Sequence, residues 1–452
     1  MPRSFERRLL VAAIAVWALV TILSFASGPP LGHDEAAFSI LARGGGSTWL
    51  YRSSGVIAIA RIGVWLGGAE WQLRLTSAVI GLGVVLATYA VGRRAFGAGV
   101  GAWAAAVIAG AHPMVLRSTE LIGDVPATAC VLAGIAVLLG ELSREDGPTF
   151  RLLAAAPAFA AGFYLRYGSA PVIAIAGLAA AVLYARAIRV RPAPVIASAA
   201  AFAALLLPHA IQSLRVTGKL LGILEVSSAM PRRAYIGEGL VTYVTSDPLR
   251  YYGALVGPLA IAGLVALCRP PARWRPTALL GAIAVGQILA IGLESHAQPR
   301  YVFIATTLLV VLGVELAQRT LRPRRHLALA LVCAAWLGAA IAIVPYNRYI
   351  ANLRGPLMAA ATAIRADDAG RPCTIVSRVV TQLMWYTGCD SLLLRDPDHL
   401  DDVTPGHRVY FVSVPHGVAQ VAPVARTLHS VATPLATGDP LSQVWTLAPA
   451  PR

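Results

Sequence analysis

Charge is scarce in this chain, and lysine is scarcer still. Of 452 residues only 13% are charged, against about 25% in soluble domains, and Lys219 is the only lysine. That deficit excludes an ordinary soluble globular protein. No CxxC pair occurs among the five cysteines, so no zinc-ligand spacing is present. No dense Asp/Glu set occurs either, so a divalent cation stays possible but is not indicated, and no cofactor or metal is expected. No internal repeat is visible, which weighs against a transporter built from matched halves. No clear small-x-small cleavage site follows the first apolar run, so that run is expected to stay as an uncleaved span.

Apolar sequence fills the space that charge leaves. Hydrophobic residues make up 57% of the chain and its mean hydropathy is +0.66. Runs of roughly 15–20 apolar residues recur, each close to the length a membrane span needs. Spans near 9–27, 71–91, 98–112, 125–141, 152–165, 169–184 and 194–210 are expected, then one ending at "CRPPARWRP", one near 277–293, one ending at "QRTLRPRRH", and one near 327–345. Backbone satisfaction in lipid makes them helices. The segment "STWLYRSSGVIAIARIGVWLGG" is amphipathic and suits the interface.

The net charge of +16 is no nucleic-acid signal, because its surplus lies in short loops. "FERR", "GRR", "SREDGPTFR", "ARAIRVRP", "CRPPARWRP" and "QRTLRPRRH" all fall on one side of an eleven-span topology, the side assigned to the cytoplasm. Residues 346–452 hold nine Arg and eight Asp, nearly neutral. The expected architecture is therefore a multi-pass α-helical membrane protein of about eleven helices. It divides into a membrane domain over 1–345 and a small α/β extracytoplasmic domain over 346–452. Within the latter, "CTIVSRVVTQLMWYTGCDSLLL" and "GHRVYFVSV" read as short β-like runs bounded by Gly, Pro and Asp. Cys373 and Cys389 lie there, and two cysteines in an exported domain favour a disulfide. The alternative is two buried free thiols.

The loops opposite the basic ones carry the reactive residues. One has His33, Asp34, Glu35, Arg43, Tyr51 and Arg52. Another has His112, Arg117, Glu120 and Asp124; a third has Arg166 and Tyr167; a fourth has Glu294, His296, Arg300 and Tyr301. Ionisable groups at membrane depth are costly and mark functional sites. Each also has a structural reading: Asp34 or Asp124 as a helix cap, Arg166 and Arg300 as snorkelling anchors. Acids and arginines gathered on one face suit a phosphate-bearing substrate attacked with the help of a base.

The order of these features resembles the membrane-embedded C-type glycosyltransferases (GT-C), in the branch of protein O-mannosyltransferases and the lipid A aminoarabinose transferase. The resemblance rests on Asp34-Glu35 directly after the first span and on "EWQLRLTSAVIGLGVVLATYAVGRRAFG", centred on Arg74. It rests further on "GAHPMVLRSTELIGDVPATACVLAG", which places Asp124, on "ESHAQPRYVF", and on the tail segment "CTIVSRVVTQLMWYTGCD". It covers about residues 1–320 well and the rest loosely. It implies an inverting transfer of a sugar from a polyprenyl-phosphate donor to a lipid, glycan or protein acceptor. The setting would be the outer face of a bacterial cytoplasmic membrane, with the N-terminus cytoplasmic and the C-terminal domain extracytoplasmic. Asp34 is then the expected base, with Glu35 second, and Asp124 orients acceptor or sugar. Arg52 and Arg300 hold the phosphate, with Arg117 and Arg166 in reserve, and His296 and Tyr301 line the cavity. The chain departs from the pattern in one place. Members usually carry a basic residue followed by Pro-Pro after the acids, where this sequence reads "YRSSGV". The rival readings are a transporter or flippase of lipid-linked sugars, and an inactive scaffold whose acids are helix caps.

Overall fold

The computed structural model describes residues 3–45, 52–228, 235–245, 253–269, 271, 274–294, 297–320, 325–394, 403 and 406–449. The chain forms two compact units. One comprises residues 1–26 and 48–344. The other comprises residues 27–47 and 345–452. Residues 27–47, which lie between two membrane segments in sequence, thus pack with the C-terminal unit.

The helices, in chain order, are α1 (Arg3–Ala26), α2 (His33–Ala42), α3 (Ser54–Trp65), α4 (Glu70–Phe96), α5 (Ala98–Ala109), α6 (His112–Ser118), α7 (Asp124–Leu142), α8 (Ala155–Leu165), α9 (Ala170–Leu183), α10 (Ala185–Val190), α11 (Pro192–Thr217), α12 (Gly222–Ser228), α13 (Glu238–Thr245), α14 (Val256–Cys268), α15 (Trp274–Glu294), α16 (Phe303–Thr320), α17 (Arg325–Asp368), α18 (Thr381–Thr387) and α19 (Val421–Thr427). Each of the eleven expected apolar runs coincides with one of them. Among the described residues, seven are long and apolar enough to cross a membrane by themselves. An eighth crossing is formed if α5 and α6, bent by 72° at Gly110-Ala111, act as one broken span. α3, α14, and the pieces around α8 and α9 are shorter apolar helices.

The first unit is held by helix faces rich in small residues. A Cβ on Gly263 would lie 2.1 Å from the Leu309 carbonyl oxygen, and one on Gly313 would lie 2.0 Å from that of Leu259. α14 and α16 therefore touch backbone to backbone, the packing that replaces hydrophobic drive inside lipid. α4, α5 and α7 supply the centre of the core, where Val84, Val85, Ala104, Ile108, Leu132 and Ile135 are fully buried. α11 and the first part of α17 bury little of their surface, and their exposed Ile196, Leu207, Leu337 and Ile341 suit contact with lipid tails.

The second unit is built on a five-stranded sheet of order β2-β1-β3-β5-β4. Its strands are β1 (Cys373–Ser377), β2 (Asp390–Leu393), β3 (Arg408–Ser413), β4 (Ser430–Leu435) and β5 (Gln443–Pro449). β1 runs parallel to β2 and β3, while β5 is antiparallel to β3 and β4. Every residue of β1 is buried, as a parallel strand covered on both faces should be. The end of α17 (Leu357, Ala360, Ala361, Ile364) covers one face with Ile375, Tyr410 and Val412. α19 covers the other through Val424 against Val376 and Phe411. Asp367, near the end of α17, accepts the Tyr410 phenol proton at 2.8 Å and pairs with Arg408 at 2.6 Å. Burial, then this carboxylate, push the Tyr410 phenol above its ordinary range, so it stays a donor at neutral pH.

One reading of the tail is corrected here. The segment 373–394 is not β throughout: Thr381–Thr387 is helical and ends at Gly388 in the left-handed region, φ 79°. A strand, a short helix and a parallel strand form a βαβ unit in place of a run of strands. Cys373 and Cys389 are joined by a disulfide across a separation of 16 residues, linking the start of β1 to the residue before β2. A loop of that length predicts about 3 kcal/mol of stabilisation. The C373S/C389S double variant is expected to lower the melting temperature of the C-terminal unit, read by limited proteolysis of the full-length protein on heating. Equal melting of variant and wild type would show that the link adds nothing.

Candidate active site

The site in the first unit grows from a close backbone approach. Gly123 and Gly55 flank the end of α8: a Cβ on Gly123 would stand 1.8 Å from the Leu165 carbonyl oxygen, and one on Gly55 2.6 Å from that of Tyr164. Only glycine fits at either point. The Tyr167 hydroxyl fixes the same junction, lying 3.2 Å from the Ser54 N–H and 3.3 Å from its Oγ. The consequence is that the first residue of α7, Asp124, faces the residue that ends α8, Arg166.

Asp124 is buried, 6% exposed, and forms an ion pair with Arg166. Its other oxygen lies 3.7 Å from Arg300. The Arg166 guanidinium lies 4.5 Å from the Tyr301 ring centre and that of Arg300 lies 5.6 Å from it, both within cation–π range. Asp124 is the first residue of α7, and its carboxylate is engaged by the arginines. Asp124, Thr128, Arg166, Gly168, Ser169, Gln287, Arg300 and Tyr301 line one small pocket. Two guanidiniums converge on one carboxylate there, and the planar fork of a guanidinium matches phosphate oxygens.

Arg300 and Tyr301 sit on a 3-10 turn, Pro299–Val302, between α15 and α16. Gln287 holds that turn. Its Nε2 donates to the Tyr301 carbonyl at 2.8 Å, and its Oε1 accepts the Ala305 N–H at 2.7 Å. Gln298 accepts from Arg300 Nε at 2.6 Å. Neither glutamine was among the expected site residues. Gln287 had a signal, since it is the lone amide in "GAIAVGQILAIG", and polar side chains in spans are rarely idle. Gln287→Leu leaves two buried backbone groups unpaired, each costing about 1–3 kcal/mol. It is expected to weaken donor binding more than it lowers expression. Donor KM against expression level measures this, and an unchanged KM would remove Gln287 from the site.

The remaining expected residues divide as follows. Arg117 pairs with Glu120 at 2.6 Å and is not in the pocket lining. Arg52 is half-buried, two residues before Ser54, whose bonds to Tyr167 anchor the start of α3. Asp34 and Glu35 open α2 in the second unit. Glu35 is buried and accepts the Gly32 N–H at 2.7 Å, half of a capping box, whereas Asp34 is half-buried. His296 and Tyr51 lie outside the described residues.

The apolar helices and the sheet-bearing C-terminal unit together form a fold shared with solved membrane-embedded C-type glycosyltransferases. Residues 55–211 match the family described as dolichyl-phosphate-mannose-protein mannosyltransferase. The whole chain is similar to ArnT from Cupriavidus metallidurans. The apo form of ArnT gives a TM-score of 0.71 at 15% identity over 98% of this chain and 99% of that one. The form bound to undecaprenyl phosphate gives 0.72 at 14% identity over all of both chains. The archaeal oligosaccharyltransferase AglB from Archaeoglobus fulgidus, in complex with an inhibitory peptide and a dolichol-phosphate, gives 0.55 at 12% identity over 86% of this chain and 64% of that one. No curated protein matches the sequence.

Proposed function

We propose that the protein is an inverting glycosyltransferase that moves a sugar from a polyprenyl-phosphate carrier to an acceptor hydroxyl on a lipid, glycan or protein. The reading rests on one observation above the others: Arg166 and Arg300 converge on Asp124 around Tyr301 in one pocket. Arginine's planar fork suits bidentate phosphate contact. The presence of undecaprenyl phosphate in a similar ArnT structure supports the same donor class, and the basic-loop pattern supports an extracytoplasmic reaction at a bacterial cytoplasmic membrane.

In the proposed reaction the acceptor oxygen attacks the anomeric carbon opposite the phosphate. The new carbon–oxygen bond forms as the bond to phosphate breaks, so the configuration inverts. Asp34 takes the acceptor's proton, with Glu35 as the second acid. Arg300 and Arg166 stabilise the departing polyprenyl phosphate, Arg52 adds charge in place of the basic-Pro-Pro element, and Asp124 orients the arginines and the sugar. No metal is assigned a role.

The test is turnover of a panel of polyprenyl-phosphate hexoses and pentoses by the full-length protein in vesicles. One donor is expected to release polyprenyl phosphate and yield a product of inverted anomeric configuration. Passage of an intact lipid-linked sugar across the bilayer, with no bond cleaved, would make the protein a flippase instead.

A further inference from the structure

The helix that carries Asp34 is pinned at both ends by one short helix of the C-terminal unit. Before Asp34, the Leu31 N–H donates to the Tyr386 hydroxyl at 2.6 Å, and His33 Nδ1 is 2.6 Å from Thr381 Oγ1. After it, the Arg43 guanidinium, at the C-cap of α2, stacks 3.8 Å from the Trp385 ring centre. A Cβ on Gly45 would meet Met384 at 3.9 Å. Thr381, Met384, Trp385 and Tyr386 all belong to α18. α17 adds two further ties, from Arg354 to the Pro30 carbonyl and from Asn347 to the Ser27 hydroxyl at 3.1 Å.

α18 is rigidly set on its other side. Leu383 is fully buried with Ile375 and Tyr410, and Gly388 and the Cys373–Cys389 disulfide end the helix. α2, by contrast, has ten residues, fewer than the roughly 12–15 an isolated helix needs to persist in water. Its position is therefore dictated by what grips it.

We propose that α18 is a brace that sets the position of Asp34, with Thr381, Trp385 and Tyr386 as positioning residues. The C-terminal unit thereby serves the chemical step directly, beyond any part it has in meeting the acceptor. The proposal rests on the reading of Asp34 as the base. Misplacing a reacting group by about 1 Å costs on the order of a hundredfold in rate, so a loosened brace should act on kcat. The donor pocket at Asp124, Arg166 and Arg300 is built wholly from the other unit, so donor KM should stay put.

The experiment uses the full-length protein in lipid vesicles. The W385A/Y386F double variant is expected to lower kcat by about ten- to a hundredfold and leave donor KM within about twofold of wild type. Amide hydrogen exchange over residues 33–43 should quicken. Trp385→Phe keeps an aromatic face for Arg43 and should restore kcat to within about twofold. Wild-type kcat and wild-type exchange in the double variant would overturn the brace, as would a loss confined to folded yield. Asp34→Asn separates the two levels. If it keeps full transfer, the base assignment fails, while the exchange measurement still decides whether α18 holds α2.

Discussion

Asp34→Asn is expected to reduce kcat by about 10²–10⁴-fold, the usual contribution of a positioned base, while leaving donor binding unchanged. The substitution is nearly isosteric and keeps the half-buried side chain on α2, but removes the ability to take a proton. Glu35→Gln makes the informative contrast. The Glu35 carboxylate accepts the Gly32 N–H at 2.7 Å, and a capping contact of this kind contributes about 1 kcal/mol. Its loss should therefore lower stability modestly and kcat far less than Asp34→Asn does. The measurement is single-turnover transfer at saturating acceptor, with donor binding read separately on both variants. Full transfer by Asp34→Asn, or an equal loss in both, would remove Asp34 from the base role.

The acids at 34, 35 and 124 and the arginines at 166 and 300 were legible in the sequence because a charge beside an apolar run has few bland uses. The structure separates two of those acids. Glu35 accepts the Gly32 N–H at the start of α2, whereas Asp124, in the first turn of α7, pairs with Arg166, a distinction set by long-range packing and so invisible in the residue order. Membership of α2 in the C-terminal unit was not legible either. It rests on contacts such as Leu31 to Tyr386, 355 positions apart, and no local pattern encodes those. The helix at 381–387 was hidden by the β-prone Val379, Val380, Trp385 and Tyr386 before it and within it, with a single turn signal, Gly388, at its end. β4 and β5 were missed as well. β4 alternates burial weakly and contains Pro434, which a strand tolerates at a sheet edge, where β4 lies.

Removing Arg166 and removing Arg300 are expected to fail in different ways, although both face the same carboxylate. Arg166 forms the direct ion pair with Asp124 and stacks on Tyr301. Arg166→Ala leaves a 6%-exposed carboxylate with its next guanidinium 3.7 Å away, and breaking a buried pair costs about 3–5 kcal/mol. The expected result is a large fall in thermal stability, with activity lost alongside it. Arg300→Ala leaves the Asp124–Arg166 pair in place, so the fold should hold. The pocket, however, loses one of the two guanidiniums proposed to hold the donor phosphate. A lost charge-assisted hydrogen bond of about 1.5–3 kcal/mol corresponds to a rise in donor KM of about 10- to 150-fold. Arg300→Lys restores the charge without the planar fork, so its KM should fall between the two. Melting temperature and donor KM measured on the three variants decide the matter. If Arg300→Ala binds donor as wild type does, this pocket is not where the phosphate goes, and its arginines merely anchor helix ends.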